Sequence, residues 1–133
     1  MMKIITRLIF LSMILSSFNQ VYAQTNNETL IKDKGNYVNG LKEGIWELFD
    51  KNQNLVAIGN YQNDLREGSW EVFYTNGALM QKGLFISGFQ EGYWEYYYED
   101  GSIRAKGNWQ NGMMTGFWEY FDKNGDLEEI KRY

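Results

Sequence analysis

The side chains that could carry chemistry in this chain are its carboxylates and its tyrosines. The 133-residue sequence contains 17 Asp and Glu and 10 Tyr, but no His and no Cys. It therefore lacks the commonest general base, the thiol nucleophiles and the usual zinc ligands. Two carboxylates alone can hydrolyse a glycoside, but most acidic residues here recur at regular spacing, as they do on a solvated face. We predict a protein that is not an enzyme and uses no cofactor.

One stretch is similar to the start of a calcium-binding loop. It is "DKNGDLEE", from Asp122 to Glu129. An EF-hand needs Gly at the sixth position and Glu at the twelfth, and these positions hold Leu127 and Tyr133. The equivalent stretches elsewhere in the chain are "DKNQN" and "YTNGA", which favour a hairpin turn. We predict no metal site.

The elements that hold these side chains follow an internal repeat of twenty-four residues. A Glu follows each Trp of the repeat, and all fourteen glycines fall on four positions of it. The repeat covers residues 31–133 as a half repeat plus four copies. The repeated tryptophans are Trp46, Trp70, Trp94 and Trp118.

Each repeat is typical of a β-hairpin, because aromatic and β-branched runs alternate with Asn-Gly or Asp-Gly pairs. We therefore predict an all-β fold, a single-layer antiparallel meander of about nine strands. A turn such as "EDGS" closes each hairpin, and a loop such as "QNGMMTG" leads to the next. The two outermost strands, "IKDKGNY" and "LEEIKRY", are more charged than the equivalent strands of the other repeats. Charged edge strands resist aggregation with other sheets.

Period-two alternation predicts how the side chains divide between the two faces. Ala105 and Gly107 should share a face with Ile103, and Arg104 should lie on the other face with Lys106. A Gly inside a strand normally weakens it, so we expect the Trp of the following strand to cover it. The Glu beside each Trp should face away from the indole, where Lys82 and Lys106 can pair with two of these carboxylates.

The first 23 residues are predicted to be a signal peptide, with Lys3 and Arg7 before an eleven-residue apolar run and cleavage after Ala23. That run is too short to span a bilayer as an anchor. Residues 24–30 are predicted to be a flexible N-terminus. Cleavage would leave 110 residues and change the formal net charge from −4 to −6. This acidic balance argues against nucleic acid and against an anionic membrane surface as partners.

Two sets of residues are candidates for contact with a partner. Tyr93, Tyr96 and Tyr98 are aromatic where the repeat does not require it, and surface Tyr favours recognition. Tyr74 occupies the position equivalent to Tyr98. The second set has one apolar residue per connecting loop, which either folds back over its sheet or forms an exposed ridge. This set is Leu41, Leu65, Phe89 and Met113.

The pattern Gly-x-Trp-x-x-aromatic, Asn/Asp-Gly, Leu-x-x-x-Gly-x-aromatic and Asn-Gly resembles the MORN repeat, in its bacterial repeat-variant form. Departures are Gln53, Asp64 and Lys131, each at a repeat glycine position. The resemblance implies an interaction and scaffold module, and the variant group includes antitoxins of the YwqK kind that neutralise a toxin by binding it.

These observations predict an exported scaffold, periplasmic or extracellular, that binds a protein partner in an antitoxin- or immunity-like role. A single-layer sheet leaves an apolar face that its own curled sheet, a second copy in a homodimer, or a partner must cover. The alternative is a glycan-binding module that stacks sugars on the rings near Tyr96 to Asp100.

Overall fold

The computed structural model describes residues 33–133, and the predicted signal peptide and flexible N-terminus lie outside these residues. The described part is all-β and forms one nine-stranded antiparallel sheet in which each strand pairs with its neighbours in sequence. This confirms the predicted meander. The strands are β1 Lys34–Val38, β2 Leu41–Phe49, β3 Leu55–Gln62, β4 Leu65–Phe73, β5 Leu79–Ile86, β6 Phe89–Tyr97, β7 Ile103–Gln110, β8 Met113–Phe121 and β9 Leu127–Arg132.

The tightest turns lie where longer loops were expected. Asn111 and Gly112 both have positive φ and join β7 directly to β8, as in a two-residue type I′ turn. The segments predicted as connecting loops are therefore mostly strand, and Leu65, Phe89 and Met113 are the first residues of β4, β6 and β8. The turns predicted to close the hairpins are longer, as at Tyr74–Ala78, where Gly77 donates its N–H to the Tyr74 carbonyl.

Each repeated Trp covers a strand glycine, as the spacing predicted. Gly59 lies directly opposite Trp70, and Gly107 lies against Trp118. A Cβ at any of these glycines would overlap the five-membered ring and the ring junction of the indole. The absent side chain is therefore what allows the indole to lie over the backbone. The four pairs are Gly35–Trp46, Gly59–Trp70, Gly83–Trp94 and Gly107–Trp118.

Recurring bulges interrupt strict period-two alternation. Tyr96 pairs with Ala105, but Tyr97 pairs with Ile103, so Arg104 is the extra residue of a bulge. Arg104 consequently lies on the same face as Tyr96 and Ala105, where all three line one cavity. The prediction that Arg104 lies on the opposite face with Lys106 is wrong, because a bulge shifts every residue before it to the other face.

The hydrophobic core lies on one face of the single-layer sheet. We call the side of the sheet that carries the four repeated tryptophans the indole face, and the side that carries the glutamates next to them the ion-pair face. The indole Nε1 of Trp70 donates to the Asn60 carbonyl at 3.0 Å. Long side chains from the start of the same strand also cover the rings, since the Arg66 guanidinium lies 3.9 Å from the Phe85 ring centroid. The buried hydrophobic side chains are those of Trp46, Ala57, Trp70, Phe85, Trp94, Ala105 and Trp118.

Candidate functional site

A cleft lies on the indole face, across β6, β7 and β8. Its volume is about 400 Å³. We call it the aromatic cleft, and it is lined by Tyr96, Arg104, Ala105, Trp109, Met114, Trp118 and Tyr120.

The cleft exists here because the residue that covers each indole changes along the sheet. Lys42 and Arg66 place a cation over the rings of the first two full repeats. The equivalent residues of the next two repeats are Gln90 and Met114. Gln90 instead donates from Nε2 to the Tyr96 hydroxyl at 3.4 Å, and Met114 lines the cleft without a charge. The third and fourth repeats thus carry no cation over their indoles, and although Trp94 and Trp118 are themselves buried, the space above them is lined by the half-buried rings of Tyr96, Trp109 and Tyr120.

Tyr96 forms one wall of the cleft and is fixed from three sides. Its ring centroid lies 6.2 Å from that of Trp94 and 5.7 Å from that of Trp118. Trp109 donates from Nε1 to its hydroxyl oxygen at 3.1 Å. Burial raises the pKa of the Tyr96 hydroxyl, which therefore stays protonated and retains a hydrogen to donate. These contacts hold the Tyr96 ring in place as one wall of the cleft.

Arg104 supplies the only charge in the lining of the cleft. It is exposed, and it takes part in none of the ion pairs found among residues 33–133. A guanidinium without a carboxylate, next to aromatic rings, suits a ligand that combines an apolar group with an anion.

The ion-pair face carries a smaller hollow around Tyr93. Its volume is about 310 Å³, and Lys82, Leu84 and Glu95 are among its lining residues. Tyr93 is 52% exposed there. Lys82 pairs with Glu95 at 2.9 Å, and Tyr97 donates its hydroxyl to the same carboxylate at 2.9 Å. These hydrogen bonds lower the pKa of Glu95, with Lys82 as the main cause, and raise the pKa of Lys82.

The predicted pairing of Lys82 and Lys106 with the glutamates beside the tryptophans is confirmed. Lys106 lies 2.8 Å from Glu119, and it forms the same cross-strand pair as Lys82 and Glu95 one repeat earlier. The Glu119 side chain is 39% exposed, so solvent screening leaves this pair little effect on stability.

The structure does not bring the candidate tyrosines together. Tyr93 and Tyr96 lie on opposite faces of β6. Tyr74 donates its hydroxyl to the Tyr97 carbonyl at 2.7 Å, and Tyr98 donates to the Phe121 carbonyl at 2.9 Å. Both are half-buried and connect one repeat to the next. Of the four, Tyr93 and Tyr96 line concavities that a partner can reach.

The apolar residues at the starts of β2, β4, β6 and β8 form an exposed ridge, which was the second interpretation of their spacing. Two of them contact the next turn: Leu65 lies over Gly88, and Phe89 lies over Gly112. We call the set the apolar ridge. Its members and exposed fractions are Leu41 38%, Leu65 49%, Phe89 59% and Met113 70%.

Sequence reasoning missed the glutamates that connect successive turns. The Glu67 carboxylate accepts the N–H of Ser87 at 2.7 Å, and Glu91 accepts the N–H of Asn111 at 2.8 Å. Glu43 does the same for Asn63. The available signal is the recurrence of Glu-Gly near the start of β2, β4 and β6, which by spacing alone is also typical of a solvated face.

Within residues 33–133 no group of three acidic side chains is arranged to hold a metal ion. The same residues contain no helix long and apolar enough to cross a membrane.

The fold and its cleft define an open, single-layer scaffold of β-hairpin repeats. Residues 42–63, 66–87 and 90–111 match the MORN repeat variant family, and the chain belongs to it. These three matches begin one residue into β2, β4 and β6, so the family repeat coincides with the structural unit.

Among solved structures, the chain is similar to one described as the crystal structure of TarM, with 12% sequence identity and a TM-score of 0.46. The match covers 86% of this chain but only 21% of that one. No curated protein matches the chain in sequence.

Proposed function

We propose that this protein is a non-enzymatic scaffold that binds a protein partner through the aromatic cleft. The observation that carries the proposal is the concavity lined by the half-buried rings of Tyr96, Trp109 and Tyr120, at the point in the sheet where no cation covers the indoles. Pre-formed aromatic concavities receive anchor side chains at protein interfaces.

The lining of the cleft favours a protein side chain over a sugar. Sugar recognition needs several polar groups beside the rings, and Arg104 is the one charged group in this lining. Asp100, which the glycan hypothesis placed beside the rings, instead accepts hydrogen bonds from the N–H and hydroxyl of Ser102 within its own turn. An apolar or aromatic anchor next to an acidic residue fits better, since Arg104 can then pair with the carboxylate.

We further propose that the protein acts after export, in the periplasm or outside the cell, where it binds an envelope protein or a toxin. This rests on the predicted signal peptide and on the resemblance to an antitoxin group. A scaffold of this kind neutralises its partner by covering its surface, which requires no chemistry. Intact mass measurement of the exported protein tests the first part, since the mature chain should begin at Gln24.

A site-specific photo-crosslinking residue at Met114 tests the cleft in the producing cell. The matched control places the same residue at Asn52, an exposed position of the β2–β3 turn. We expect one discrete protein adduct from position 114, none from position 52, and loss of the adduct when Arg104→Glu is added. Equal adducts at both positions, or none, would contradict the proposal. Glycan-array binding that Trp109→Ala abolishes would favour the alternative instead, and binding to anionic vesicles would indicate a membrane role.

A further inference from the structure

The strand β9 forms a free edge of the sheet with an unusual charge pattern. It pairs with β8 on one side, and no other described strand pairs with it on the other. All six residues of β9 are exposed, including Ile130 at 55%. An exposed edge of this length is a template for pairing with another strand.

The charges of β9 are arranged symmetrically about Ile130. Glu128 and Glu129 precede it, and Lys131 and Arg132 follow it. None of these four takes part in an ion pair found within residues 33–133. When two copies of the strand run antiparallel with Ile130 opposite Ile130, each Glu129 faces a Lys131; Glu128, the extra residue of a bulge in β9, lies outside this pairing. Opposite charges placed in this way stabilise a strand pair.

The backbone orientation fits the same register. Tyr133 donates its N–H to the Gly116 carbonyl at 2.9 Å, so its backbone faces β8. Backbone groups of alternate residues in a strand point to the same side. Those of Glu129 and Lys131 therefore face β8, and those of Ile130 and Arg132 face outward. Ile130 can then exchange both backbone hydrogen bonds with Ile130 of a second copy.

Other registers are disfavoured by charge. A slip of two residues keeps each side chain on its face, but it places Glu129 opposite Glu129 or Lys131 opposite Lys131. A slip of one residue exchanges the two faces of the sheet. The opposite edge offers no equivalent pattern, because β1 has the sequence KGNYV and its Lys34 already pairs with Glu47 at 3.0 Å.

We propose that the β9 edge is a self-complementary docking surface, on which two copies of this chain pair antiparallel about a two-fold axis at Ile130 and continue one sheet across both. Glu129 and Lys131 lie opposite Tyr120 and Trp118, so the intermolecular ion pairs form on the indole face. The two Ile130 side chains meet on the ion-pair face. An isologous contact of this kind closes on itself and yields a dimer rather than a fibre.

A charge-swap experiment on the mature chain tests this pairing. Sedimentation equilibrium over a range of concentrations should show a monomer–dimer equilibrium that weakens with added salt. The double variant Lys131→Glu/Arg132→Glu makes β9 wholly acidic, and Glu128→Lys/Glu129→Lys makes it wholly basic. Each should dimerise at least about tenfold more weakly than the wild type, because like charges then face each other. Mixing the two variants should restore a dimer that contains one copy of each.

Ile130→Pro provides an independent backbone test. It removes the outward N–H but no hydrogen bond to β8, so it should abolish the dimer and leave the monomer folded by circular dichroism. A wild-type chain that stays monomeric at millimolar concentration would overturn the proposal. So would a dimer that persists in both charge variants, or a mixture of the two that does not associate. The cleft proposal survives any of these results, since it does not depend on dimerisation.

Discussion

Trp94 covers the backbone of Gly83 so closely that residue 83 has no room for a Cβ. Gly83→Ala should therefore destabilise the sheet by about 1–3 kcal/mol, because the indole must move. Trp94→Ala should cost about 3–5 kcal/mol as a buried aromatic is lost. In the Trp94→Ala background, Gly83→Ala should cost little, since the clash is gone. Urea unfolding of the two single variants and the double variant measures this coupling.

The matched control for this cycle is Asn108→Ala, an exposed strand residue one repeat later, which should change the unfolding free energy by less than about 0.5 kcal/mol. If the two changes at positions 83 and 94 had additive effects on the unfolding free energy, the packing of the indole would not require the absence of a Cβ at residue 83.

Tyr98→Phe should weaken the connection between the third and fourth repeats. The change removes the hydroxyl that donates to the Phe121 carbonyl at 2.9 Å and keeps the ring, so the expected loss is about 0.5–1.5 kcal/mol. Tyr93→Phe is the control, because the Tyr93 hydroxyl donates no hydrogen bond found among the described residues and its ring is 52% exposed. Thermal unfolding compares the two; an equal change in both would refute a connecting role for Tyr98.

Stability should fall on acidification partly through Glu95. Its pKa is lowered from the ordinary value of 4.5, chiefly by the hydrogen bond from Lys82. The ionised form of the Glu95 carboxyl is therefore more stable in the folded state than in the unfolded chain. This contribution is fully present above pH 4.5 and is lost as the pH falls through the lower pKa of the folded state.

The carboxyl carbon of Glu95, followed by NMR during a pH titration, reports this pKa directly. Lys82→Met should move the midpoint upward toward the ordinary value, whereas Lys106→Met, which removes a cation with a smaller effect on Glu95, should move it less. A Glu95 midpoint that Lys82→Met leaves unchanged would exclude Lys82 as the cause.

Glu67→Gln should loosen the turn between β5 and β6. The carboxylate accepts the Ser87 N–H at 2.7 Å, and a neutral amide accepts more weakly. We expect a loss of about 1 kcal/mol and amide exchange at Ser87 that is about fivefold faster. Hydrogen-exchange mass spectrometry or NMR measures it. Glu99→Gln, in the exposed β6–β7 turn, serves as the control and should leave Ser87 exchange unchanged.

The Trp–Gly pairs and the strand count could be predicted because both repeat at fixed spacing in the sequence. The turns were less predictable, since Asn-Gly or Asp-Gly occurs in both kinds of connection, and only the backbone shows that residues 111 and 112 alone turn the chain. The bulge at Arg104 left no periodic signal, because it results from how Tyr97 and Ile103 pair across two strands.

The aromatic cleft could be predicted only in part. Tyr96 is aromatic at a position where the repeat does not require it, and this identified one wall of the cleft. The opening itself depends on Gln90 and Met114, which replace the cations that cover earlier indoles, and no spacing rule distinguishes a covering side chain from an ordinary strand residue. The roles of Tyr74 and Tyr98 were hidden because their hydrogen-bond acceptors are carbonyls of the following repeat.

Every strand of this sheet pairs only with the strands that precede and follow it along the chain. No late closure between distant segments is required, so loop-closure entropy stays small and assembly should be fast. The hairpins can fold in the order in which they are synthesised, and each new hairpin can pair with the free edge strand of the sheet that has already formed. Loss or duplication of a whole twenty-four-residue unit would then shorten or lengthen the array without disturbing the rest, which allows such scaffolds to change length by tandem duplication.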